Sequence, residues 1–194
     1  LFPVTKTEYT IPKEVVSLPE NFFKDHNITS ISVEEGNTAF QAIGGVLYDA
    51  AMTKIIYFGD SVTEYEIPAT LPSGMTEEEF FEVLFSATNL KYITVAAGNT
   101  AYRAKFGAVY DMDWNLLVFP MGATEYKIPV EVTNLSPMLT YNTFADSALE
   151  TVTFEEGERA GGLTIGNYMF QEAANLQYVS LPEGTVKIGR HSAW

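Results

Sequence analysis

The sequence predicts a strand-dominated repeat solenoid of the α/β class, with inserted hairpins and a few short helices, on three observations. A seven-residue phrase recurs four times, as Asn27-Ile28-Thr29-Ser30-Ile31-Ser32-Val33, Asn89-Leu90-Lys91-Tyr92-Ile93-Thr94-Val95, Ala148-Leu149-Glu150-Thr151-Val152-Thr153-Phe154 and Asn175-Leu176-Gln177-Tyr178-Val179-Ser180-Leu181. A second phrase, Glu-Tyr-x-Ile-Pro, begins at Glu8, Glu64 and Glu125. A longer segment is repeated almost residue for residue: Gly36-Asn37-Thr38-Ala39 returns as Gly98-Asn99-Thr100-Ala101, and Gly45-Val46-Leu47-Tyr48-Asp49 as Gly107-Ala108-Val109-Tyr110-Asp111. Self-similarity of this kind marks stacked units, each too small to bury its own apolar face, that share one continuous core.

Taken in chain order, each Ile-Pro ends a strand, because proline cannot donate to a ladder and turns the chain out of the sheet. Leu181-Pro182 repeats the device. The connections that follow carry Phe22 and Phe23, then Phe80 to Phe85, then Leu139 and Phe144, all expected to pack beneath the sheet. The second connection is the clearest helix, expected over residues 76–87. Thr76 and Glu79 form a capping-box pair, Glu77 and Glu78 suit the first-turn dipole, and Phe80, Val83 and Leu84 make an apolar stripe. Ser136-Pro137 reads as the start of a shorter helix running toward Phe144, and residues 167–174 as another. The duplicated segments each read as two strands joined by a polar turn, at 49–53 and 111–115. From Leu149 to Leu176 the phrase recurs after only 27 residues, the length of one leucine-rich unit. The expected organisation is therefore a single domain over 1–194. Hairpin-bearing modules fill about 8–63 and 64–124, and shorter repeats fill about 125–194.

Composition narrows the partner. At 46% hydrophobic and 13% aromatic residues, the chain has ample material for a core. Its 25 acidic against 11 basic residues leave a net charge of −14, which repels phosphate backbones and anionic lipid and favours a cationic or neutral partner. The absence of cysteine removes disulfides, thiolate metal sites and cysteine nucleophiles. No apolar run approaches the roughly 20 residues of a membrane helix. Leu1-Phe2-Pro3-Val4 lacks the basic start and cleavage site of a signal peptide, so the expectation is a cytosolic chain or one whose leader has been removed. Lys187-Ile188-Gly189 reads as the opening of a further repeat.

The Asn-Leu-x-x-Ile-x-Val phrases, the Gly-Val-Leu-Tyr-Asp strand and the Ile-Pro ends together resemble the BspA-like irregular leucine-rich repeat proteins. Ile165-Gly166-Asn167-Tyr168-Met169-Phe170 and Ile188-Gly189 with Trp194 approximate that family's Ile-Gly-x-x-Ala-Phe signature. The resemblance covers nearly the whole chain. It implies a right-handed solenoid with a parallel sheet on one face, and a bacterial surface or secreted protein that adheres to host or matrix proteins. The family shares no catalytic residues, and none is carried over.

Alternation along a strand places Ile31, Val33, Ile93, Val95, Val152, Phe154, Val179 and Leu181 on the inward face of the phrase. Two outward columns result: Ser30, Tyr92, Thr151 and Tyr178, and beside it Ser32, Thr94, Thr153 and Ser180. Hydroxyls are ordinary on a solvated sheet face. Tyrosine, a rigid apolar body with a polar tip, is common on binding surfaces. These eight residues form the candidate partner-binding site, with Tyr92 and Tyr178 as anchors. The phrase asparagines Asn27, Asn89 and Asn175 are expected to bond the backbone of the turn beneath them, with Ala148 breaking their column. The expected function is a non-enzymatic module that binds a host or matrix protein. Carbohydrate binding, favoured by the outward aromatics, and a structural spacer are the alternatives.

Catalytic chemistry finds little footing. His26 and His191 are isolated and read as surface residues, and no Gly-x-Ser-x-Gly elbow is present. Gly44-Gly45 and Gly161-Gly162 lack the spacing and lysine of a phosphate loop. Asp111-Met112-Asp113-Trp114-Asn115 places oxygen ligands at alternate positions as calcium loops do, but without their glycine and distant glutamate, so it reads as a hairpin turn. No metal or cofactor is expected.

Overall fold

Alternating apolar residues bounded by proline and glycine turns give short strands, most of them of four residues. The computed structural model describes residues 8–19, 22–23, 28–135 and 144–190, and its chain divides into two compact units.

The first unit comprises residues 1–63 and 70–89. It holds β1 (Glu8–Ile11), β2 (Ser30–Val33), β3 (Phe40–Ile43), β4 (Val46–Asp49), β5 (Ile55–Phe58) and α1 (Glu77–Ser86). The parallel pair β1-β2 sets Tyr9 opposite Ile31 and Ile11 opposite Val33. The Ile-Pro strand is thus a rung of the same ladder as the phrase strand. Its tyrosine takes the inward place that isoleucine holds in the phrase. Ile11, Phe23, Ile28, Ile31, Phe40 and Leu47 form the core, with Phe23 stacked on Tyr57 at 4.4 Å. The helix has the expected capping box: Glu79 N–H donates to Thr76 Oγ1 at 3.2 Å, and Thr76 N–H to Glu79 Oε2 at 2.7 Å. It buries Phe80, Phe81 and Leu84, so Phe81 replaces Val83 in the expected stripe.

The second unit, residues 64–69 and 90–194, begins with β6 (Glu64–Ile67) paired in parallel with β7 (Tyr92–Val95). An antiparallel meander follows, of β8 (Tyr102–Lys105), β9 (Ala108–Asp111) and β10 (Leu116–Val118). Then come β11 (Glu125–Ile128), β12 (Asn134–Leu135), β13 (Thr151–Phe154), β14 (Leu163–Ile165), β15 (Tyr178–Val179) and β16 (Thr185–Ile188). The last six strands form two parallel ladders, β11-β13-β15 and β12-β14-β16, so each short repeat contributes one strand to each. This is the strand-dominated leucine-rich solenoid coil. The core runs from Tyr110 and Phe119 through Tyr126, Phe144 and Val152 to Phe170 and Leu176.

Three expectations are corrected. Each duplicated segment is a three-stranded meander, because Gly44-Gly45 and Phe106-Gly107 make an additional two-residue turn between β3 and β4 and between β8 and β9. Residues 167–172 form consecutive turns in place of a helix, since Tyr168 and Glu172 take φ of 59° and 60°, which no right-handed helix contains. Leu181 lies past the end of β15 and is 45% exposed, off the inward face. The helix expected from Ser136, together with Leu139, Asn27, His26 and His191, lies outside the described residues.

One buried polar contact stands inside the second core. The hydroxyls of Tyr110 and Tyr126, both buried, meet at 2.8 Å, and burial pushes both phenols well above their usual pKa. Removing one hydroxyl strands the other. Tyr126→Phe is therefore expected to cost about 1–3 kcal/mol, whereas the double change Tyr110→Phe with Tyr126→Phe recovers most of it. Denaturant midpoints of the two single variants and the double variant check this. Additive losses would rule out the coupling.

Candidate interaction surface

Strand alternation sets the outward side chains, and register decides which of them are neighbours. In β2 and β7 the pattern is regular: Ile31 and Ile93 are buried, while Ser30, Ser32, Tyr92 and Thr94 are exposed. In β13 Val152 is buried, with Thr151 and Thr153 half-buried. Tyr178 is exposed and Ser180 half-buried. The fractional exposures of the two tyrosines, 46% for Tyr92 and 57% for Tyr178, are large for aromatic rings on strands.

The ladder brings Thr151 beside Tyr178, and it places an Ile-Pro strand next to each remaining phrase strand. The outward neighbours are consequently acidic: Glu8 lies opposite Ser30, Glu64 opposite Tyr92, Glu66 opposite Thr94, and Glu125 opposite Thr151. Lys127 lies opposite Thr153 and Thr10 opposite Ser32. The last two touch, Thr10 Oγ1 to Ser32 Oγ at 2.8 Å. Sequence reasoning missed these neighbours because it stacked the four phrases directly on one another. The signal lay in the Glu-Tyr-x-Ile-Pro strands, whose alternation is the same.

The asparagine expectation divides. Asn175 Nδ2 donates to Ser147 O at 2.8 Å, as a phrase asparagine should. Asn89 is exposed and makes no side-chain hydrogen bond among the described residues. The work falls instead to Asn37 and Asn99. Asn37 Nδ2 donates to Pro12 O at 2.9 Å and Val15 O at 3.0 Å, while its Oδ1 accepts from Ala39 and Phe40 N–H at 2.8 and 2.9 Å. Asn99 does the same toward Pro68 O, Ala101 N–H and Tyr102 N–H, each at 2.9 Å.

The turn at 111–115 is closed by its own acid. Asp111 Oδ1 accepts from Asp113 and Asn115 N–H at 2.9 and 2.8 Å, and Oδ2 from Asn115 Nδ2 at 2.7 Å. Burial alone would raise the pKa of this carboxyl, but the hydrogen bonds from Asn115 and Asp113 outweigh it and hold it below the usual range. Asp49 is held the same way, by Thr53 and Lys54. Both carboxylates are turn staples.

A separate cluster surrounds the tip of the β8-β9 turn. The Arg103 guanidinium lies 4.6 Å from the centre of the Trp114 ring. Lys105 Nζ sits 2.8 Å from Glu131 and 2.7 Å from Glu155. Burial would lower its pKa, but the two carboxylates outweigh that and hold it above the usual lysine value. The Phe106 ring lies close to two ammonium groups, Lys105 Nζ at 5.4 Å and Lys127 Nζ at 5.0 Å from its centre. A Cβ placed on Gly107 would come within 2.7 Å of Tyr92, so the tyrosine ring lies directly over the turn.

Comparison with known proteins completes the picture. The sequence pattern of the BspA type leucine rich repeat region matches in six copies, over residues 5–70 and 124–192. A search of curated proteins gives no match. Among solved structures, the chain is similar to the pneumococcal vaccine antigen PcpA, with 15% identity and a TM-score of 0.42 over 94% of this chain and 46% of that one. It is also similar to a leucine-rich repeat protein from Eubacterium ventriosum, with 16% identity and a TM-score of 0.36 over 91% of this chain and 66% of that one. The chain thus spans just under half the length of the first of these structures. Both ladders, the paired Ile-Pro and phrase strands and the six matched copies lead to one conclusion: the chain belongs to the BspA-type leucine-rich repeat family.

Proposed function

We propose that this chain is a non-enzymatic, protein-binding module of a bacterial surface or secreted protein, adhering to a host or matrix protein through the outward side of its phrase strands. The observation that carries the reading is the exposure of Tyr92 and Tyr178, 46% and 57%, on strands whose opposite faces are buried at Ile93 and half-buried at Val179. A ring left in water at such a position contributes nothing to the core, and it offers a partner apolar area at little cost in side-chain entropy. In the second unit Thr94, Thr151, Thr153 and Ser180 supply the polar surround, and Glu64, Glu66 and Glu125 favour a partner with basic groups at its rim. No helix among the described residues is long and apolar enough to cross a membrane.

The test is capture of purified extracellular-matrix proteins by the whole chain and by the double variant Tyr92→Ala with Tyr178→Ala. Capture is expected to weaken at least tenfold while the thermal midpoint moves by no more than a few degrees, since neither ring is in the core. Unaltered capture would remove the two tyrosines from the site. The carbohydrate reading draws on the same exposed rings and meets its test in a glycan array, where the protein-binding reading expects no signal.

A further inference from the structure

The two duplicated segments share a scaffold and differ in what they display. Asn37 and Asn99, Asp49 and Asp111, Gly45 and Gly107, and Ile31 and Ile93 occupy the same positions in the two copies and serve the same structural ends. Around that common frame six positions have changed in one direction. Where the first copy carries Ser30, Gln41, Ile43, Gly44 and Met52, the second carries Tyr92, Arg103, Lys105, Phe106 and Trp114, and in the Glu-Tyr-x-Ile-Pro strand that follows each copy Glu66 gives way to Lys127. Small, neutral or acidic side chains have given way to three aromatics and three cations, in a chain whose net charge is −14.

Packing explains part of the change, since Trp114 lies against the second core and 5.5 Å from the Tyr110 ring, and Lys105 is paired with Glu131 and Glu155; it does not explain Phe106, Arg103 or Lys127. Gly44 and Gly45, with φ of 58° and 85°, form a two-residue turn of the type that needs positive φ at both central residues, and glycine adopts that conformation without strain. In the second copy Phe106 holds φ of 54° at the place of Gly44, a conformation that a bulky side chain occupies only under strain. Phe106 is half-buried and stands outside the core cluster of the second unit, with two lysine ammoniums near its ring. Lys127 is exposed and makes no close ion pair among the described residues, although Glu155 lies near enough to feel its charge. Arg103 Nε is buried without an acceptor, and the guanidinium's one described hydrogen bond is a long one to Met112 Sδ at 3.5 Å. Strain at Phe106, the exposed ring of Tyr92 and under-used donors coincide on one turn.

Resting on the protein-binding reading above, we infer that the patch centred on Phe106, made by Tyr92 and Arg103 of the second hairpin module and Lys127 of the strand that follows it, is the docking point for a protein segment that presents a carboxylate beside an apolar side chain. The chemistry favours this occupant. Tyr, Trp, Phe and Arg are the residues enriched where protein interfaces are fully desolvated. Guanidinium and ammonium donors fixed against ring faces are pre-positioned for a carboxylate. A long polyanion is disfavoured, because Glu64 and Glu66 lie opposite Tyr92 and Thr94 and Glu125 lies on the strand of Lys127, where they repel any charge extending beyond the patch.

The experiment selects random twelve-residue peptides against the immobilised whole chain and titrates the enriched peptides by fluorescence anisotropy. The variants restore residues of the first copy: F106G, R103Q and K127E. Enriched peptides are expected to carry Asp or Glu next to Phe, Leu or Ile, and to lose at least tenfold in affinity with F106G and with K127E. F106G should leave the thermal midpoint unchanged or raise it, which separates lost binding from lost folding. Enrichment of basic peptides, of acidic ones indifferent to these variants, or of none, overturns the inference. Peptides that lose affinity only with Y178A would do so too while leaving the protein-binding reading in place. Binding of sialylated or uronate oligosaccharides that F106G and K127E abolish, with no peptide enriched, would overturn both.

Discussion

Replacing Phe144 by alanine is expected to destabilise the second unit by roughly 3–5 kcal/mol and to lower its thermal midpoint by about 10 °C. Phe144 is fully buried, and its ring meets three others from different stretches of chain: Phe119 at 5.2 Å edge-on, Tyr126 at 5.8 Å, and Phe170 at 5.7 Å, stacked with an interplanar angle of 15°. Strands of two to four residues cannot slide to refill a ring-sized void without breaking their ladders, so the cavity term adds to the lost transfer energy. Phe144→Leu keeps much of the volume and is expected to cost less than half as much. Calorimetry or urea titration of both variants checks the ranking. A loss below about 1 kcal/mol for the alanine variant would mean that the four-ring cluster is not what holds the coils together.

How far the sequence foretells this architecture depends on the scale of the signal. Near-identity of the two long segments announces a common scaffold, and the capping pair Thr76 and Glu79 places the helix within a residue of its observed start at Glu77. Both signals are local and repeated. The pairing of Ile-Pro strands with phrase strands was hidden because tyrosine substitutes for isoleucine at the inward position, in Tyr9, Tyr65 and Tyr126, and breaks the apolar pattern that would have joined the two phrases into one ladder. The supposed helix at 167–174 has an apolar pattern, but periodicity carries no information about the left-handed φ at Tyr168 and Glu172 that divides it into turns. For the candidate surface, alternation was enough to turn Tyr92 outward. It could not reveal that Arg103, Phe106, Trp114 and Lys127 gather at one turn, since hairpin register and the close approach of Gly107 to Tyr92 bring them together. A position-by-position comparison of the two segments would have brought out these residues among others, since Lys54 and Leu116 or Ala51 and Asp113 also differ in character.

The asparagines supply the second large effect. Asn99→Ala is expected to cost roughly 2–3 kcal/mol, and Asn37→Ala a similar amount, because each change removes at least three hydrogen bonds at about 1 kcal/mol apiece. The orphaned groups matter more than the count. Without the Asn99 side chain, the Pro68 carbonyl that ends one rung and the Ala101 and Tyr102 amides that open the meander lose their partners together. The Tyr102 amide belongs to a residue only 8% exposed, so water is poorly placed to substitute. Asn99→Asp should fall between the wild type and the alanine variant. It keeps the acceptor for both amides, but it loses the donor and sets a carboxylate against the Pro68 carbonyl. By contrast Asn89→Ala is expected to change stability by less than about 0.5 kcal/mol, since that exposed side chain bonds to nothing among the described residues. The comparison is decisive because the two asparagines sit on either side of one phrase strand: the family phrase points to Asn89, the hydrogen-bond geometry to Asn99. Equal losses at both sites, or a larger loss at Asn89, would show that the turn before the strand, and not the turn after it, ties one coil to the next.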